Sequence, residues 1–220
     1  METKNKMTKS VVIIGKGPSV LKSTKELVDS FDEVAICNFP PMEGYEQYIG
    51  NRATYHFLNV HDPNPYKRER LDSLGLKYMF NTHPVPHPGY KEIFPNQDVE
   101  YFEDYGKKKF KEFEIKFGFD SGHGGGPSCG IMAFEYFVKK EEFDTISLVG
   151  FDFFKVGERG YYYELQEVQA SHRYLYSSKG DKPFNEEGIR VKENPHGSKR
   201  SEKFIYDRIE YYGKKLRHIQ

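Results

Sequence analysis

The sequence predicts a single α/β domain built on a doubly wound, mostly parallel sheet. Residues 11–14 form a continuous run of β-branched apolar side chains, which is typical of a strand buried on both faces. A glycine turn and helical apolar spacing follow this run, and residues 145–149 predict a second inner strand that also ends at a glycine. In sheets of this kind, ligands bind beyond the carboxyl ends of the strands.

The other predicted elements complete a Rossmann-like pattern of alternating strands and helices. Further strands are expected over 33–38, 53–58, 76–80 and 99–102. Four helices are expected where apolar residues recur at helical spacing. The first carries Val20, Leu21, Leu27 and Val28 on its inward face, and the second covers 105–117. The third follows Gly130, and the last stops at Gly213.

Length and composition favour one domain over 11–220, preceded by a disordered tail over 1–10. The chain has 220 residues, with 33 Lys plus Arg and 33 Asp plus Glu, so no overall charge favours nucleic acid or an acidic membrane. Two cysteines form neither a disulfide framework nor a zinc site, which favours a reducing, cytoplasmic location. No apolar run is long enough to span a bilayer, and no signal-peptide pattern is present.

Two glycine turns are candidate anion sites. The first is Gly15-Lys16-Gly17-Pro18-Ser19, whose glycine spacing is not that of a dinucleotide fingerprint. The second covers 122–130 and ends in Ser128-Cys129-Gly130 at a predicted helix start, where unpaired amides and the helix dipole favour an anion such as a phosphate or a carboxylate. An ordinary loop that caps a helix explains the second turn equally well.

Polar residues at other strand ends extend this candidate site. Asn38 and Asn59 each follow a predicted strand, where an amide offers a donor and an acceptor toward a base or a sugar; either could instead start a turn. Gly150-Phe151-Asp152 lies at the end of the strand over 145–149. His196, in a Pro-His-Gly turn before the last helix, is a candidate general base.

A flexible lid is predicted over about 155–194, and no metal is expected. The lid includes three tyrosines at 161–163, which either pack as aromatics or donate a hydrogen bond to a leaving phosphate. His61, His83 and His87 alternate with prolines and lack a cysteine or carboxylate at ligand spacing, which argues against a metal site.

Taken in order, these segments resemble the CMP-sialic-acid-dependent sialyltransferases. The likeness is strongest to the compact bacterial type, glycosyltransferase family 42, with an echo of the sialyl motifs of family 29. The matching segments are the strand and turn over 12–19, Cys37-Asn38-Phe39, 55–59, 127–130 with the helix and strand up to 153, and 195–199.

The resemblance implies a GT-A-like fold and an inverting glycosyl transfer without a metal or other cofactor. The donor would be a CMP-sugar and the acceptor a glycan or glycolipid, with no nucleic-acid partner, no transmembrane segment and an oligomer possible. Asn38 and Asn59 match positions that contact the nucleotide, Ser128, Cys129 and Gly130 match the turn that holds the donor, and His196 matches the general base. Only one of Tyr161 and Tyr162 is left to match the pair of tyrosines that steadies the departing CMP phosphate.

The sequence also departs from the family pattern. Lys16 replaces an asparagine in the first loop, Cys129 replaces a hydroxyl residue, Phe154 stands where the first phosphate-binding tyrosine is expected, and the arginine before the small motif is absent. Sialic acid and another CMP-activated 2-keto acid such as Kdo therefore both stay open as donors. Two alternatives are a metal-dependent phosphate-transfer enzyme related to hydroxymethylpterin diphosphokinases and a non-catalytic CMP-sugar-binding module.

Overall fold

The described part of the chain folds around a seven-stranded sheet. The computed structural model describes residues 8–38, 42–58, 73–85, 98–119, 126–153, 157, 161 and 198–219. The strands are β1 Lys9–Ile14, β2 Glu33–Cys37, β3 Tyr55–Leu58, β4 Tyr78–Asn81, β5 Glu100–Phe102, β6 Phe143–Val149 and β7 Lys215–Ile219. The helices are α1 Lys25–Asp29, α2 Glu46–Ile49, α3 Tyr105–Phe117, α4 Cys129–Val138 and α5 Ser198–Tyr212, with a 3-10 helix over Pro18–Lys22.

The sheet has the order β5-β4-β3-β2-β1-β6-β7, and every strand pair in the described residues is parallel. The α/β class predicted from the sequence is confirmed. The chain builds outward from β1 to β5 and then returns to place β6 on the other edge of β1. The strand order therefore reverses at β1, and open α/β sheets bind ligands in the crevice outside the carboxyl ends of the strands at such a switch point.

Alternate residues of β1 feed two cores, one on each face of the sheet. Val11 and Ile13 pack with α3, α4 and α5, whereas Val12 and Ile14 pack with the 3-10 helix, α1 and α2. The first core is rich in phenylalanine. In it, Phe80 of β4 stacks between Phe57 and Phe102 of the neighbouring strands, with ring centroids 4.5 and 4.4 Å apart. This ladder ties the outer strands to the centre of the sheet.

The structure differs from the sequence prediction in three elements. The single helix expected to carry Val20 and Val28 is wrong: Ser23 is extended, with φ −85° and ψ 169°, and the Thr24 side chain caps a separate helix by accepting from the Leu27 N–H at 3.2 Å. The short α2 and the edge strand β7 were not predicted. The stop of α5 at Gly213 is confirmed, because this glycine has φ +59°.

Two predicted segments lie mostly or partly outside the described residues. They are the lid, of which only Gly157 and Tyr161 are described, and the tail, described from residue 8. No helix in the described parts of the chain combines the length and the apolar character that crossing a membrane requires.

Candidate functional site

The loops after β1 and β6 are joined backbone to backbone. The Gly15 N–H donates to the Val149 carbonyl at 2.7 Å, and the Gly17 N–H donates to the Gly150 carbonyl at 2.9 Å. Gly150 has φ +72°, and a Cβ atom on Gly15 would overlap its carbonyl oxygen. The glycines therefore allow the two loops to form one wall of the crevice.

Asp152 closes the first glycine turn. Its Oδ2 accepts a hydrogen bond from the Ser19 N–H at 2.8 Å, and a Cβ atom on Gly17 would overlap this oxygen. The carboxylate thus lies at the start of the 3-10 helix, where the sequence suggested an anionic ligand. The amides of Gly15, Gly17 and Ser19 all donate within the protein, and Pro18 has no N–H. These backbone groups are therefore not free to bind an anion.

The second turn leads into α4 as expected, and its serine caps the helix. Ser128 has φ −68° and ψ 161°, and its hydroxyl accepts from the Ile131 N–H at 3.3 Å. Gly130 lies against the Phe151 ring, since a Cβ atom there would come within 2.8 Å of the ring carbons. The start of α4 is therefore pressed against the loop that follows β6, which brings Ser128, Cys129 and Gly130 to the crevice.

Asn38 joins the site through its side chain and its backbone. It adopts φ +57°, and its Oδ1 accepts a hydrogen bond from the Cys129 thiol at 3.0 Å. Thr82, after β4, lies 3.0 Å from the same sulfur and donates to the Leu58 carbonyl at 2.9 Å. The ends of β2, β3 and β4 thus meet the first residue of α4, as their parallel arrangement requires.

A buried histidine that was not predicted as a site residue forms a hydrogen bond with the backbone of Asn38. His56 on β3 is fully buried, and its Nε2–H donates to the Asn38 carbonyl. Burial lowers the pKa of His56 to about 4 although this hydrogen bond opposes the change, so the ring is neutral at pH 7. The available sequence signal was a lone polar residue inside an otherwise apolar strand.

Lys16 reaches from the first turn toward these strand ends. Its Nζ lies 5.1 Å from the centroid of the Tyr161 ring, and the ammonium also interacts with Cys129 and Cys37. Burial lowers the pKa of Lys16 from its usual value. Burial also raises the pKa of Cys129 to about 11 and that of Cys37 well above its usual value, so both thiols are protonated at neutral pH.

The unpredicted strand β7 supports the loop after β6. His218 Nε2 lies 3.0 Å from the Phe151 carbonyl oxygen, and its ring packs edge-on against Phe153 at 5.5 Å. Phe153 has φ +53°, a conformation that is uncommon for a phenylalanine. β7 therefore holds a strained turn at the mouth of the crevice.

The structure brings most of the predicted donor-binding residues to one edge of the sheet. They are Gly15, Lys16, Gly17, Pro18, Ser19, Asn38, Ser128, Cys129, Gly130, Gly150, Phe151 and Asp152. Of the predicted catalytic residues, Tyr161 is described, whereas Tyr162 and His196 lie outside the described residues, as does Asn59. Within the described ranges, no group of three His, Cys, Asp or Glu side chains is arranged to hold a metal ion.

Comparison with known proteins shows which fold carries this site. No family model matches the chain, and no curated protein matches it either. Among solved structures, a variant of the sialyltransferase CST-II in complex with CMP aligns with a TM-score of 0.61 at 18% identity, over 96% of this chain and 81% of the other. The chain has the fold of a sialyltransferase.

Two further structures show the same likeness. The monofunctional alpha-2,3-sialyltransferase Cst-I from Campylobacter jejuni aligns over 100% of this chain and 78% of its own, with a TM-score of 0.59 and 19% identity. CST-II in complex with a trisaccharide acceptor and CMP aligns over 96% and 81%, with a TM-score of 0.58 and 17% identity. The resemblance drawn from the sequence motifs is thus confirmed by this sialyltransferase fold.

Proposed function

We propose that this protein is an inverting glycosyltransferase that moves sialic acid, or a related 2-keto sugar acid, from a CMP-activated donor to a hydroxyl of a glycan. One observation carries the proposal. Asn38, Cys129 and the loop after β6 converge at the switch point of a sheet whose solved neighbours include complexes with CMP. The CMP moiety of the donor would lie in this crevice, and the sugar would extend toward the lid.

In the proposed reaction, the acceptor hydroxyl displaces CMP from the sugar. The acceptor hydroxyl attacks the anomeric carbon, and His196 takes its proton as general base. The bond between this carbon and the phosphate oxygen breaks with its electron pair remaining on CMP. Attack from the face opposite the phosphate inverts the configuration. Protein groups at the crevice, and no metal ion, would stabilise the phosphate as it gains charge.

The proposal is tested first by ligand binding. Thermal unfolding is followed with CMP, CDP, UMP, GDP and ATP, each with and without EDTA. We expect CMP to raise the midpoint selectively and EDTA to leave that rise unchanged. Stabilisation by ATP only in the presence of Mg²⁺ would favour the phosphate-transfer alternative instead.

The catalytic assignment needs a second measurement. His196→Ala is expected to keep CMP binding and the circular dichroism spectrum while transfer from a CMP-sugar falls by about a hundredfold or more. Transfer at the wild-type rate in this variant would remove His196 from the mechanism. CMP-sugar binding without transfer or hydrolysis in the wild type, across a panel of glycan acceptors, would identify a binding module.

A further inference from the structure

The first glycine turn leaves the side chain of Lys16 for an anionic ligand. Its glycine amides are consumed by the Val149 and Gly150 carbonyls, and the Ser19 N–H is consumed by Asp152. Lysine at this position brings a side chain that can carry a positive charge.

The ammonium of Lys16 has no acidic partner among the residues that the structure describes. Its described surroundings are the face of the Tyr161 ring and the thiols of Cys37 and Cys129. The thiols supply no counter-charge, since burial keeps both protonated near neutral pH. The nearest acidic group along the adjoining loop, Asp152, is hydrogen-bonded to the Ser19 amide, and no ion pair joins it to Lys16.

A second positive feature points to the same place. Cys129 is the first residue of α4, a ten-residue helix, and the amino end of a helix carries partial positive charge. A cation beside that end is unfavourable unless an anion lies between them. The arrangement of lysine and helix therefore favours an anion at the ends of β1 and β2.

We propose that Lys16, backed by the Tyr161 ring, binds the phosphate of the CMP-sugar and stabilises the negative charge that this phosphate gains as CMP leaves. This role rests on the proposed function. The donor phosphate is a diester with one negative charge, and CMP leaves with a second because the electron pair of the broken C–O bond stays on its phosphate oxygen. Lys16 therefore binds the departing phosphate more strongly than the intact donor, which is the condition for catalysis by a binding group.

The role of Tyr161 changes with this proposal. The sequence resemblance assigned a phosphate hydrogen bond to the hydroxyl of Tyr161 or Tyr162. The distance of 5.1 Å from Lys16 Nζ to the Tyr161 ring centroid instead makes the ring face a support for the cation. Tyr161 is then a positioning residue, and its aromatic ring matters more than its hydroxyl.

Calorimetric titration with CMP and with cytidine, which lacks the phosphate, tests the proposal on the full chain. We expect Lys16→Met to weaken CMP binding by about tenfold to a hundredfold and to change cytidine binding by less than about twofold, because the variant removes a charge-assisted contact to phosphate only. Lys22→Met removes an exposed lysine from the nearby 3-10 helix and is the matched control. Tyr161→Leu is expected to weaken CMP binding more than Tyr161→Phe does.

Each outcome decides between the two proposals. Equal CMP affinity in wild type and Lys16→Met overturns the role of Lys16 and leaves the transferase proposal standing. If the wild type binds neither CMP nor cytidine, the transferase proposal is wrong. Binding of inorganic pyrophosphate then tests whether Lys16 forms an anion site. Protection of the wild type by pyrophosphate that is lost in Lys16→Met supports the anion site, and no protection overturns it. Should Lys16→Met fail to fold, Lys16→Gln takes its place in every titration.

Discussion

The guanidinium of Arg208 on α5 holds the buried carboxylate of Glu135 on α4 through two hydrogen bonds. Arg208 Nε lies 2.9 Å from Oε2, and Nη2 lies 2.7 Å from Oε1. Glu135 is 1% exposed, and Lys139 Nζ also approaches its Oε1 at 2.6 Å. Helix α5 begins two positions after His196, the candidate base, and helix α4 begins at the predicted donor turn. The Arg208–Glu135 pair therefore joins these two helices.

Arg208→Met should destabilise the protein by about 3–5 kcal/mol, because it leaves a buried carboxylate short of its bidentate partner. Urea unfolding measures the change. The matched control is Lys203→Met, which breaks an exposed pair with Asp207 on the same helix and should cost less than about 1 kcal/mol. Equal losses in the two variants would show that the Arg208 pair contributes no more than a surface contact.

Asp152→Ala should cost about 1–3 kcal/mol, because the Ser19 N–H loses a charged acceptor at 2.8 Å. Asp152→Asn should cost less, since an amide oxygen still accepts this bond. Asp144→Ala, which removes a 3.4 Å pair with the exposed Lys215, is the control for loss of a carboxylate from the strand that precedes this loop. A cost for Asp152→Ala no larger than this control would contradict the loop closure described above.

Gly17→Ala should be strongly destabilising in the wild type and less so in an Asp152→Ala background. The added Cβ atom overlaps the Asp152 carboxylate, so truncating this side chain relieves part of the clash. Gly15→Ala provides the comparison, since its Cβ atom overlaps the backbone of Gly150 and should stay equally harmful in both backgrounds. A double-mutant cycle from urea unfolding measures the coupling, and strict additivity for Gly17→Ala would count against the contact.

His56 should make the protein less stable as the pH falls from about 6.5 to about 4. Its pKa is about 4 in the folded protein and near 6.5 when unfolded, so the unfolded chain binds more protons within this window. The loss should amount to about 3 kcal/mol. In His56→Gln, whose amide can still donate to the Asn38 carbonyl, the stability profile over this window should be flatter. Parallel profiles for the two proteins would rule out the buried neutral histidine.

Asn38→Gly should weaken CMP binding by about tenfold with little loss of stability. Glycine adopts the φ of +57° without strain, but it lacks the side-chain amide that accepts from Cys129 and that would contact the nucleotide in the proposed function. Asn38→Ala should lose the same affinity and in addition about 1 kcal/mol of stability, because alanine disfavours this conformation. Unchanged CMP affinity in both variants would remove Asn38 from the donor site.

Local patterns made much of the fold predictable. Helix α4 follows an N-cap serine and a dense apolar run, and the inner strands β1 and β6 are short apolar runs beside glycines. Helix α3 was predicted with the bounds that it has in the structure. These signals lie within a few residues of the element that they define.

What the sequence could not predict depends on contacts between distant segments. Strand β7 is a short edge strand in which Lys215 and Arg217 are exposed, and only its pairing with β6 makes it a strand. The hydrogen bond from Cys129 to Asn38 spans 91 positions, and that from Ser19 to Asp152 spans 133. The local motif of the first turn predicts an anion-binding loop. It does not indicate that amides of this turn are hydrogen-bonded within the protein.

The strand order also bears on how the chain folds. β1 emerges first during synthesis, yet one of its two edges stays open until β6 has been made, while β2, β3 and β4 can assemble on the other edge much earlier. An incomplete chain therefore exposes unpaired amides and carbonyls along a strand whose last four residues are apolar, which is a template for aggregation. Expression of fragments that stop before residue 143 should consequently yield insoluble protein. Refolding of the whole chain should be slow, because the pairing of β1 with β6 closes the longest loop in the sheet.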